Sequence, residues 1–363
     1  MAAGFAQWGN DLYAGRRSYD IVGRRRIWFT ISTILVILSA ILLIKPGLNP
    51  GIEFRGGSQF IVSGVPNADE QLAIDTVKSI APEESPEVTA LGTDSLRIQT
   101  SKLANDQVEE VASALQAAYG VSEDEVASSF IGPSWGQDIS RKAITGILVF
   151  LVFVTIVMTI YFRNWRMALA ALLALFHDLI ITVGVYAAVG WEVTPATVIG
   201  FLTILGYSIY DTVVVFDKVR ENTADTLDQT RYTYAEKANL AVNQTLVRSI
   251  NTSVVALLPV GAILFVGAVI LGAGTLRDIA LALFVGMLIG TFSSVFLATP
   301  FEVTLREREP AIRDHTRKVL AARKARVEAG EVDEPLLAPA IHGATQLRPG
   351  AHQGVQAQPK RRR

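Results

Sequence analysis

Long apolar blocks alternate with polar stretches along this chain of 363 residues, half of which are hydrophobic. A helix needs about 20 apolar residues to cross the hydrocarbon core of a bilayer. Blocks of about that length predict membrane-spanning helices at Ile27–Ile44, Ile144–Tyr161, Met167–Val189, Val193–Val215, Val254–Leu271 and Ile279–Leu297. The chain is therefore predicted to be a polytopic α-helical membrane protein with six transmembrane helices.

The polar segment after the first apolar block, residues 45–142, is long enough to fold as a domain with its own core. Its periodicity and its turn residues predict six elements. These are a strand at Phe54–Ser63, a helix at Ala68–Ile80 capped by Asn67, strands at Val88–Leu91 and Ser95–Gln99, a helix at Asp106–Tyr119 and a strand at Val126–Ile131. The order β-α-β-β-α-β predicts a ferredoxin-like α+β domain with two helices on one face of the sheet.

Basic residues near the ends of the spans predict the orientation, because cytoplasmic loops carry an excess of Lys and Arg. They precede the first span, bracket the turn after the second and follow the sixth: Arg16, Arg17, Arg24, Arg25, Arg26, Arg163, Arg166, Arg306, Arg308, Arg313 and Arg317. Both termini are therefore predicted to be cytoplasmic and the 45–142 domain extracytoplasmic. The other predicted segments are an N-terminal segment 1–26, a bundle 143–300 with a cytoplasmic loop 217–247, and a basic, partly disordered tail 301–363. Within the loop, Tyr234–Leu246 has helical character.

One acidic residue interrupts the fourth apolar block. Asp211 lies about 10 Å inside the predicted cytoplasmic boundary at Lys218, at about 1.5 Å of rise per residue. An aspartate inside a membrane helix costs about 2.5–3.5 kcal/mol, so such residues usually face a polar interior, a partner or an ion path. Asp211 is therefore the first candidate for a functional residue; the alternative is that it only holds two helices together by hydrogen bonding.

Arg248, at the start of the fifth span, is the candidate partner of Asp211. On an antiparallel neighbouring helix it would reach a comparable depth. An ion pair there would favour the charged acid, whereas burial disfavours it, and a proton-switched carboxylate requires that competition. The alternative is that the Arg248 side chain extends to the membrane surface.

A second polar cluster is predicted inside the bundle. His177 and Asp178 fall at the middle of the third span. Thr203 and Tyr207 share one helical face with Asp211, because residues four apart lie on the same side of a helix. These side chains either extend a proton path or form structural hydrogen bonds between helices.

Several classes of function are disfavoured by what the sequence lacks. The chain has no cysteine, which excludes disulfides and thiol chemistry. It contains no Walker-type phosphate loop, no His-Glu-x-x-His helix and no Gly-x-Ser-x-Gly elbow. The histidines have no metal-ligand spacing. The sequence therefore predicts neither an enzyme nor a metal site, and no cofactor or nucleic-acid partner is expected.

Three longer motifs carry a resemblance to a known family. They are Gly51-Ile-Glu-Phe-Arg-Gly-Gly57, the segment Gly206-Tyr-Ser-Ile-Tyr-Asp-Thr-Val-Val-Val-Phe-Asp-Lys-Val-Arg-Glu-Asn222, and Asn243-Gln-Thr-Leu-Val-Arg-Ser-Ile-Asn-Thr-Ser253. They resemble, in turn, the Gly-Ile-Asp-Phe-x-Gly-Gly signature, the fourth-span signature and the start of the fifth span in the SecF family of the bacterial SecDF protein-translocation complex. The resemblance runs from about residue 51 to about residue 300.

The resemblance implies half of a resistance-nodulation-division-type transporter, paired with SecD and assisting the SecYEG channel and SecA, with YajC as a further partner. It implies that the proton gradient, rather than a cofactor, promotes late steps of preprotein export across the bacterial cytoplasmic membrane, with unfolded preprotein held on the extracytoplasmic side. Asp211 and Arg248 take the positions of the family's proton-path acid and basic residue. The family signature at the base of the external domain corresponds to Gly51, Glu53, Gly56 and Gly57.

The chain departs from the family pattern at two positions. Glu53 replaces the commoner Asp, and Tyr210 stands where Asn is common before the acid. Two other functions stay open at this point. Half of a proton-coupled lipid or small-molecule exporter of the same superfamily would have a substrate cavity and form a homo-oligomer. A passive scaffold of the translocon would tolerate Asp211→Asn, whereas either proton-coupled function would not.

Overall fold

The computed structural model describes residues 2–65, 68–92, 94–270 and 274–329. Its elements are, in chain order, α1 (Ala2–Tyr13), α2 (Arg25–Ile44), β1 (Asn49–Pro50), α3 (Ile52–Arg55), β2 (Gly57–Val62), α4 (Glu70–Ile80), β3 (Glu87–Leu91), β4 (Ser95–Thr100), α5 (Asn105–Tyr119), β5 (Val126–Ile131), α6 (Pro133–Phe162), α7 (Trp165–Val189), β6 (Glu192–Val193), α8 (Pro195–Thr223), α9 (Tyr234–Ala262), α10 (Gly274–Ser293), α11 (Thr299–Arg306) and α12 (Pro310–Glu328). Two π-helical segments continue the membrane helices: Ile263–Ile270 follows α9, and Ser294–Ala298 joins α10 to α11.

Among the described residues, six helices are long and apolar enough to cross a membrane: α2, α6, α7, α8, α9 with its π-helical extension, and α10 joined to α11. Each coincides with one predicted span, so the prediction of a six-span α-helical membrane protein is confirmed. Two crossings depend on glycine. A Cβ on Gly184 of α7 would lie 2.9 Å from the Cα of Ser39 in α2, and a Cβ on Gly200 of α8 would lie 2.6 Å from the Cβ of Ala282 in α10. These helices pack closer than any larger residue would allow.

The segment predicted as the loop 217–247 is mostly helical in the structure. α8 continues to Thr223, and α9 already begins at Tyr234. Thr233 caps α9: its Oγ accepts a hydrogen bond from the backbone N–H of Glu236, and its own N–H donates to the Glu236 carboxylate. This reciprocal capping box starts the helix well before the apolar run. The connection is therefore the shorter segment 224–233.

The α+β domain has the sheet order β3-β4-β2-β5, with every neighbouring pair antiparallel. With α4 after β2 and α5 after β4, this is the β-α-β-β-α-β order of a ferredoxin-like fold, as predicted. The helices cover one face of the sheet, where Phe60 and Ile98 of the central strands pack with Val77 of α4 and Leu115 of α5. These four side chains are fully buried and form the centre of the domain core.

The first helix of the domain begins two residues later than predicted. Asp69 is its N-cap, because the Asp69 carboxylate accepts hydrogen bonds from the backbone N–H groups of Gln71 and Leu72. The predicted cap, Asn67, lies outside the described residues.

The domain is fastened to the bundle at two places. Only Gly132 separates the last strand, β5, from α6. The short strand β1 pairs in parallel with β6, between α7 and α8, so that Asn49 lies opposite Glu192. The domain is thereby held against the segment that begins α8.

Both terminal segments pack on the end of the bundle formed by the start of α9. Asn239 Oδ1 accepts hydrogen bonds from the backbone N–H groups of Ile21 and Val22, and Asn243 Oδ1 accepts one from Tyr19. The charged stretch of the predicted tail 301–363 forms the end of α11 and α12, and residues beyond 329 lie outside the description.

Candidate functional site

Asp211 lies on the inward face of α8 and is buried. Its Oδ1 accepts a hydrogen bond from Ser249 Oγ of α9 at 2.9 Å, and its Oδ2 accepts one from Ser294 Oγ, where the π-helix after α10 begins. Hydroxyl groups from two other helices therefore satisfy both carboxylate oxygens. Hydrogen bonds to an ionised acceptor are the strong ones, so the two hydroxyl donors are placed to stabilise the charged form of this carboxylate inside an apolar bundle.

The π-helical segment Ser294–Ala298 positions the second of these donors. π-Turns widen a helix and occur often at functional sites. The Ser294 hydroxyl has another acceptor within its own helix, because its Oγ lies 3.2 Å from the carbonyl oxygen of Thr291. It can therefore donate to Asp211 when that group is ionised and turn to Thr291 when it is protonated.

The structure does not form the predicted ion pair between Asp211 and Arg248: within the ranges described, no salt bridge joins the two residues, and Arg248 is exposed on the outer side of α9. Helical geometry gives the reason. Consecutive residues of an α-helix point about 100° apart. The rotation of α9 that turns Ser249 towards Asp211 therefore turns Arg248 away.

A second carboxylate is held in the same way on the preceding helix, α7. Asp178 of α7 is fully buried, and its Oδ2 accepts hydrogen bonds from Ser208 Oγ of α8 at 2.6 Å and from Ser293 Oγ of α10 at 2.7 Å. Its Oδ1 lies 3.1 Å from Nδ1 of His177, which is also buried. The structure thus brings His177 and Asp178 together.

Thr203 and Tyr207 make their hydrogen bonds to groups other than the two carboxylates. Thr203 is exposed, and its hydroxyl donates to the carbonyl oxygen of Ile199 within α8. Tyr207 is half-buried and donates to Ser253 Oγ of α9 at 3.4 Å. The three residues do not keep the predicted common face of α8, because each step of four residues rotates about 40° beyond one full turn. Over the eight residues from Thr203 to Asp211, the face turns from the outside of the bundle to its interior.

Four serines hold the two carboxylates, and sequence reasoning did not select them as site residues: Ser208, Ser249, Ser293 and Ser294. Serine is inconspicuous in an apolar span because its hydroxyl can bond to a carbonyl of the preceding turn. The one available signal was the pair of consecutive serines late in the sixth span.

The Gly-Gly pair of the signature forms the turn between α3 and β2. Gly56 has φ 80° and Gly57 has φ 151°, in the region that favours glycine. A Cβ on Gly57 would lie 2.4 Å from the carbonyl oxygen of Thr100 in β4. Helix α3, which precedes the turn, packs on α6, where a Cβ on Gly136 would lie 2.7 Å from the carbonyl oxygen of Phe54. The signature therefore lets backbones meet at the base of the domain.

Beside this turn, a nearly buried ion pair links the domain to the bundle. A guanidinium nitrogen of Arg97 in β4 lies 3.2 Å from Oε2 of Glu192 in β6, and both side chains are 11% exposed. Gln99 Nε2 donates to the other Glu192 oxygen at 2.8 Å. Removing one partner of a buried pair typically costs about 3–5 kcal/mol. Glu192 is therefore an anchor point for the domain.

Glu53 faces this anchor, and its buried Oε2 has no hydrogen-bond partner in the described part of the chain. That oxygen and an oxygen of Glu192 lie 2.5 and 2.7 Å from the point where a Gly51 Cβ would stand, so Gly51 leaves room for two carboxylates. Burial raises the pKa of Glu53; Glu192 and Asp278 raise it further, against the opposing effects of a backbone hydrogen bond and of Arg97.

This raised pKa predicts a pH-dependent junction. The folded state favours protonated Glu53, so the stability from this group is full below its usual pKa of 4.5 and is lost as the pH rises through the raised pKa. Glu53→Gln stays neutral at every pH. It is expected to raise the hydrogen-exchange protection factors of residues 49–57 severalfold at neutral pH and to remove their pH dependence.

Hydrogen–deuterium exchange with mass spectrometry on the purified protein measures this effect. Glu109→Gln, on the exposed side of α5, is the matched control and should leave the segment unchanged. Equal protection in wild type and Glu53→Gln at neutral pH would contradict the prediction.

The fold and these sites define a multi-pass membrane protein whose bundle contains two buried, hydroxyl-caged carboxylates and whose α+β domain is anchored to the bundle by an ion pair. In the described ranges, no group of three or more His, Asp or Glu side chains is arranged to hold a metal ion. Residues 110–308 match the family described as "Protein export membrane protein SecD/SecF, C-terminal", and residues 41–64 match the "SecD/SecF GG Motif". The chain belongs to the SecD/SecF family.

Individual relatives agree with this assignment. The chain is 48% identical over 327 residues to protein translocase subunit SecF of Streptomyces coelicolor, covering 90% of this chain and 87% of that protein. It is 42% identical over 334 residues to protein translocase subunit SecF of Mycobacterium tuberculosis, covering 89% and 75%. The crystal structure of SecDF, a translocon-associated membrane protein from Thermus thermophilus, matches with a TM-score of 0.71 and 30% identity. That match covers 80% of this chain and 39% of the SecDF chain.

Proposed function

We propose that this chain is the SecF-type subunit of a Sec protein translocase and that, together with SecD, it uses the proton gradient to promote late steps of preprotein export. The role is non-enzymatic and needs no cofactor. Its further partners are the SecYEG channel with SecA, YajC, and unfolded preprotein on the extracytoplasmic side of the bacterial cytoplasmic membrane. Family membership and the names of the relatives support the export role.

The observation that carries proton coupling is the burial of Asp211 between two hydroxyl donors. Protonation removes the charge that makes both hydrogen bonds strong, and the Ser294 hydroxyl then has its own helix carbonyl, at Thr291, as an alternative acceptor. The packing of α8 against the sixth span therefore has two states that differ by one proton. A proton crossing 100 mV releases about 2.3 kcal/mol, enough to bias such an equilibrium more than tenfold.

The same helices lead from Asp211 to the α+β domain. β6, with the anchor residue Glu192, directly precedes α8. At the same end of the bundle, Thr194 Oγ1 donates to the carboxylate of Asp278 in α10 at 3.2 Å. A shift of α8 against α10 therefore moves Glu192 and, through the ion pair with Arg97, moves the sheet of the domain. We assign the coupling between proton uptake and domain movement to this path.

The exposed position of Arg248 supports the proposal that a partner subunit covers this face inside the membrane. It is exposed on the outer side of α9, and α8 exposes Tyr210 and Thr203. An arginine that faces lipid within a membrane helix is costly, and such residues usually pair within a protein interior. SecD, as the second half, would cover this face and supply an acceptor for Arg248. The distribution of basic residues separately predicts that both termini of the chain are cytoplasmic.

Co-purification and export test this proposal together. The chain is expected to co-purify with SecD in mild detergent and to restore preprotein export in cells depleted of their own subunit. Arg248→Met should weaken co-purification with SecD, because removing one partner of a buried charge pair costs about 2–5 kcal/mol. Arg24→Met, which removes an exposed arginine just before α2, is the control and should behave as wild type.

The outcomes separate the alternatives. A homo-oligomer that forms without SecD and gives no export would favour an exporter half that moves a lipid or small molecule. Wild-type co-purification of the Arg248→Met variant would exclude the proposed position of Arg248 at the interface with SecD.

A further inference from the structure

Asp178 and Asp211 lie on different helices, yet both are linked to the same two elements, α8 and the sixth span. α8 contributes Ser208 to Asp178 and carries Asp211 itself, one turn further along. The sixth span contributes the consecutive residues Ser293, which donates to Asp178, and Ser294, which donates to Asp211. A displacement of the sixth span at this point therefore changes the hydrogen bonding of both carboxylates.

The backbone geometry at Ser293 and Ser294 directs their two hydroxyls to two different acceptors. Neighbouring residues of a regular α-helix point about 100° apart, and the helix changes from α to π between Ser293 and Ser294. Each hydroxyl also has a carbonyl acceptor in its own helix: Gly290 lies 3.1 Å from Ser293 Oγ, and Thr291 lies 3.2 Å from Ser294 Oγ. Each serine can therefore release its carboxylate without losing its hydrogen bond.

Asp178 has more polar contacts than a residue that only joins two helices would need. The carboxylate is completely buried, receives two hydroxyl donors from two other helices and lies beside His177. His177 Nε2 is buried without a hydrogen-bond partner in the described part of the chain. A single serine–asparagine bond would join helices as well, without a group that must be kept charged or protonated in an apolar interior.

We propose that Asp178 is a second proton-binding carboxylate and that its protonation is coupled to that of Asp211 through the Ser293-Ser294 pair. This proposal rests on the proposed proton-coupled function and extends it from one site to two. When either carboxylate takes up a proton, its serine turns to the helix carbonyl, the sixth span shifts against α8, and the hydrogen bonds of the other carboxylate change. His177 is the titratable side chain in contact with Asp178, and the other polar contacts come from Ser208 and Ser293.

Infrared difference spectroscopy of the complex with SecD in lipid films tests the proposal directly. Acidification should produce carboxylic-acid C=O bands. Asp178→Asn should delete one band and shift the band that Asp211→Asn deletes. Asparagine preserves an acceptor for both serines, so the variant is expected to fold. Thr182→Val is the matched control, because Thr182 is buried one turn away in α7 and its hydroxyl donates to the backbone carbonyl oxygen of Asp178 rather than to the carboxylate.

A second arm removes the link instead of the acid. Ser293→Ala should shift the band of Asp178 and, through the coupling, the band of Asp211 as well. Export is measured in parallel, and Asp178→Asn should reduce proton-driven export to the level of Asp211→Asn. Spectra of Asp178→Asn identical to wild type would overturn the proposal, and so would an Asp211 band unchanged in both Asp178→Asn and Ser293→Ala.

The Asp211→Asn arm distinguishes the two levels of failure. If that variant exports preprotein as well as wild type, proton coupling itself fails and the second site fails with it. If Asp211→Asn loses export while Asp178→Asn keeps it and shows wild-type spectra, proton coupling stands and only the inference about Asp178 is wrong.

Discussion

Replacing Asp211 by asparagine is expected to abolish the proton-driven component of preprotein export while the subunit stays assembled. Asparagine has the same shape but neither gains nor loses a proton, so the packing of α8 keeps one state at every pH. Because a proton crossing 100 mV supplies about 2.3 kcal/mol, losing that input should lower the total export rate of energised cells about tenfold or more.

Assembly should survive because the cage around Asp211 accommodates an amide. The Asn oxygen can accept from Ser249, as Oδ1 of Asp211 does now. The amide nitrogen can donate to Ser294 Oγ, whose own hydroxyl hydrogen then goes to the carbonyl oxygen of Thr291. No buried polar group is left without a partner, so the cost that usually accompanies a buried polar substitution is avoided.

The measurement is export in cells depleted of their own subunit and supplied with wild type or variant, with and without an ionophore that collapses the proton gradient. Wild type should show an ionophore-sensitive component, and Asp211→Asn should show none at equal membrane level and equal co-purification with SecD. Asp217→Asn is the matched control, since Asp217 lies on the same helix at a more exposed position beside Tyr161. Full ionophore-sensitive export by Asp211→Asn would leave the passive scaffold as the better explanation.

The amino-acid pattern was sufficient for the parts of the fold that composition and spacing control. Six apolar blocks of about 20 residues predicted the six spans. Each span had to be helical, because a backbone in lipid must satisfy its own hydrogen bonds. The β-α-β-β-α-β order of the α+β domain was predicted correctly, although Phe54 and Arg55, predicted at the start of its first strand, belong to helix α3. Asp211 stood out because a buried carboxylate has a cost that demands an explanation.

The contacts of that carboxylate could not be predicted, because they depend on the rotation of helices about their axes. Arg248 and Ser249 are adjacent, and a rotation of α9 by about 100° decides which of them meets Asp211. The π-helix at Ser294 has no distinctive residue pattern, and hydroxyls carry no penalty that marks them as partners of an acid. Charge is therefore a visible signal in a membrane sequence, whereas the hydrogen-bond donors that stabilise it are not.

Gly57→Val is expected to have the largest structural effect, by separating the central strand of the α+β domain from its neighbour. Gly57 has φ 151°, where backbone strain alone costs a larger residue about 1–3 kcal/mol. A Cβ at this position would also lie 2.4 Å from the carbonyl oxygen of Thr100, which backbone movement alone can relieve. That movement would displace β4 and its residue Arg97, and with it the ion pair to Glu192.

Limited proteolysis of the purified complex measures this outcome, with cleavage between residues 45 and 142 as the readout. Gly120→Val separates the two causes. Gly120 also has a positive φ, 66°, but nothing lies within 4 Å of its Cβ position, so the control carries the backbone strain without the collision. Gly57→Val should be cleaved much faster than Gly120→Val, and Gly120→Val only somewhat faster than wild type. Equal cleavage of the two variants would mean that backbone strain, rather than contact with β4, explains the glycine at the base of the domain.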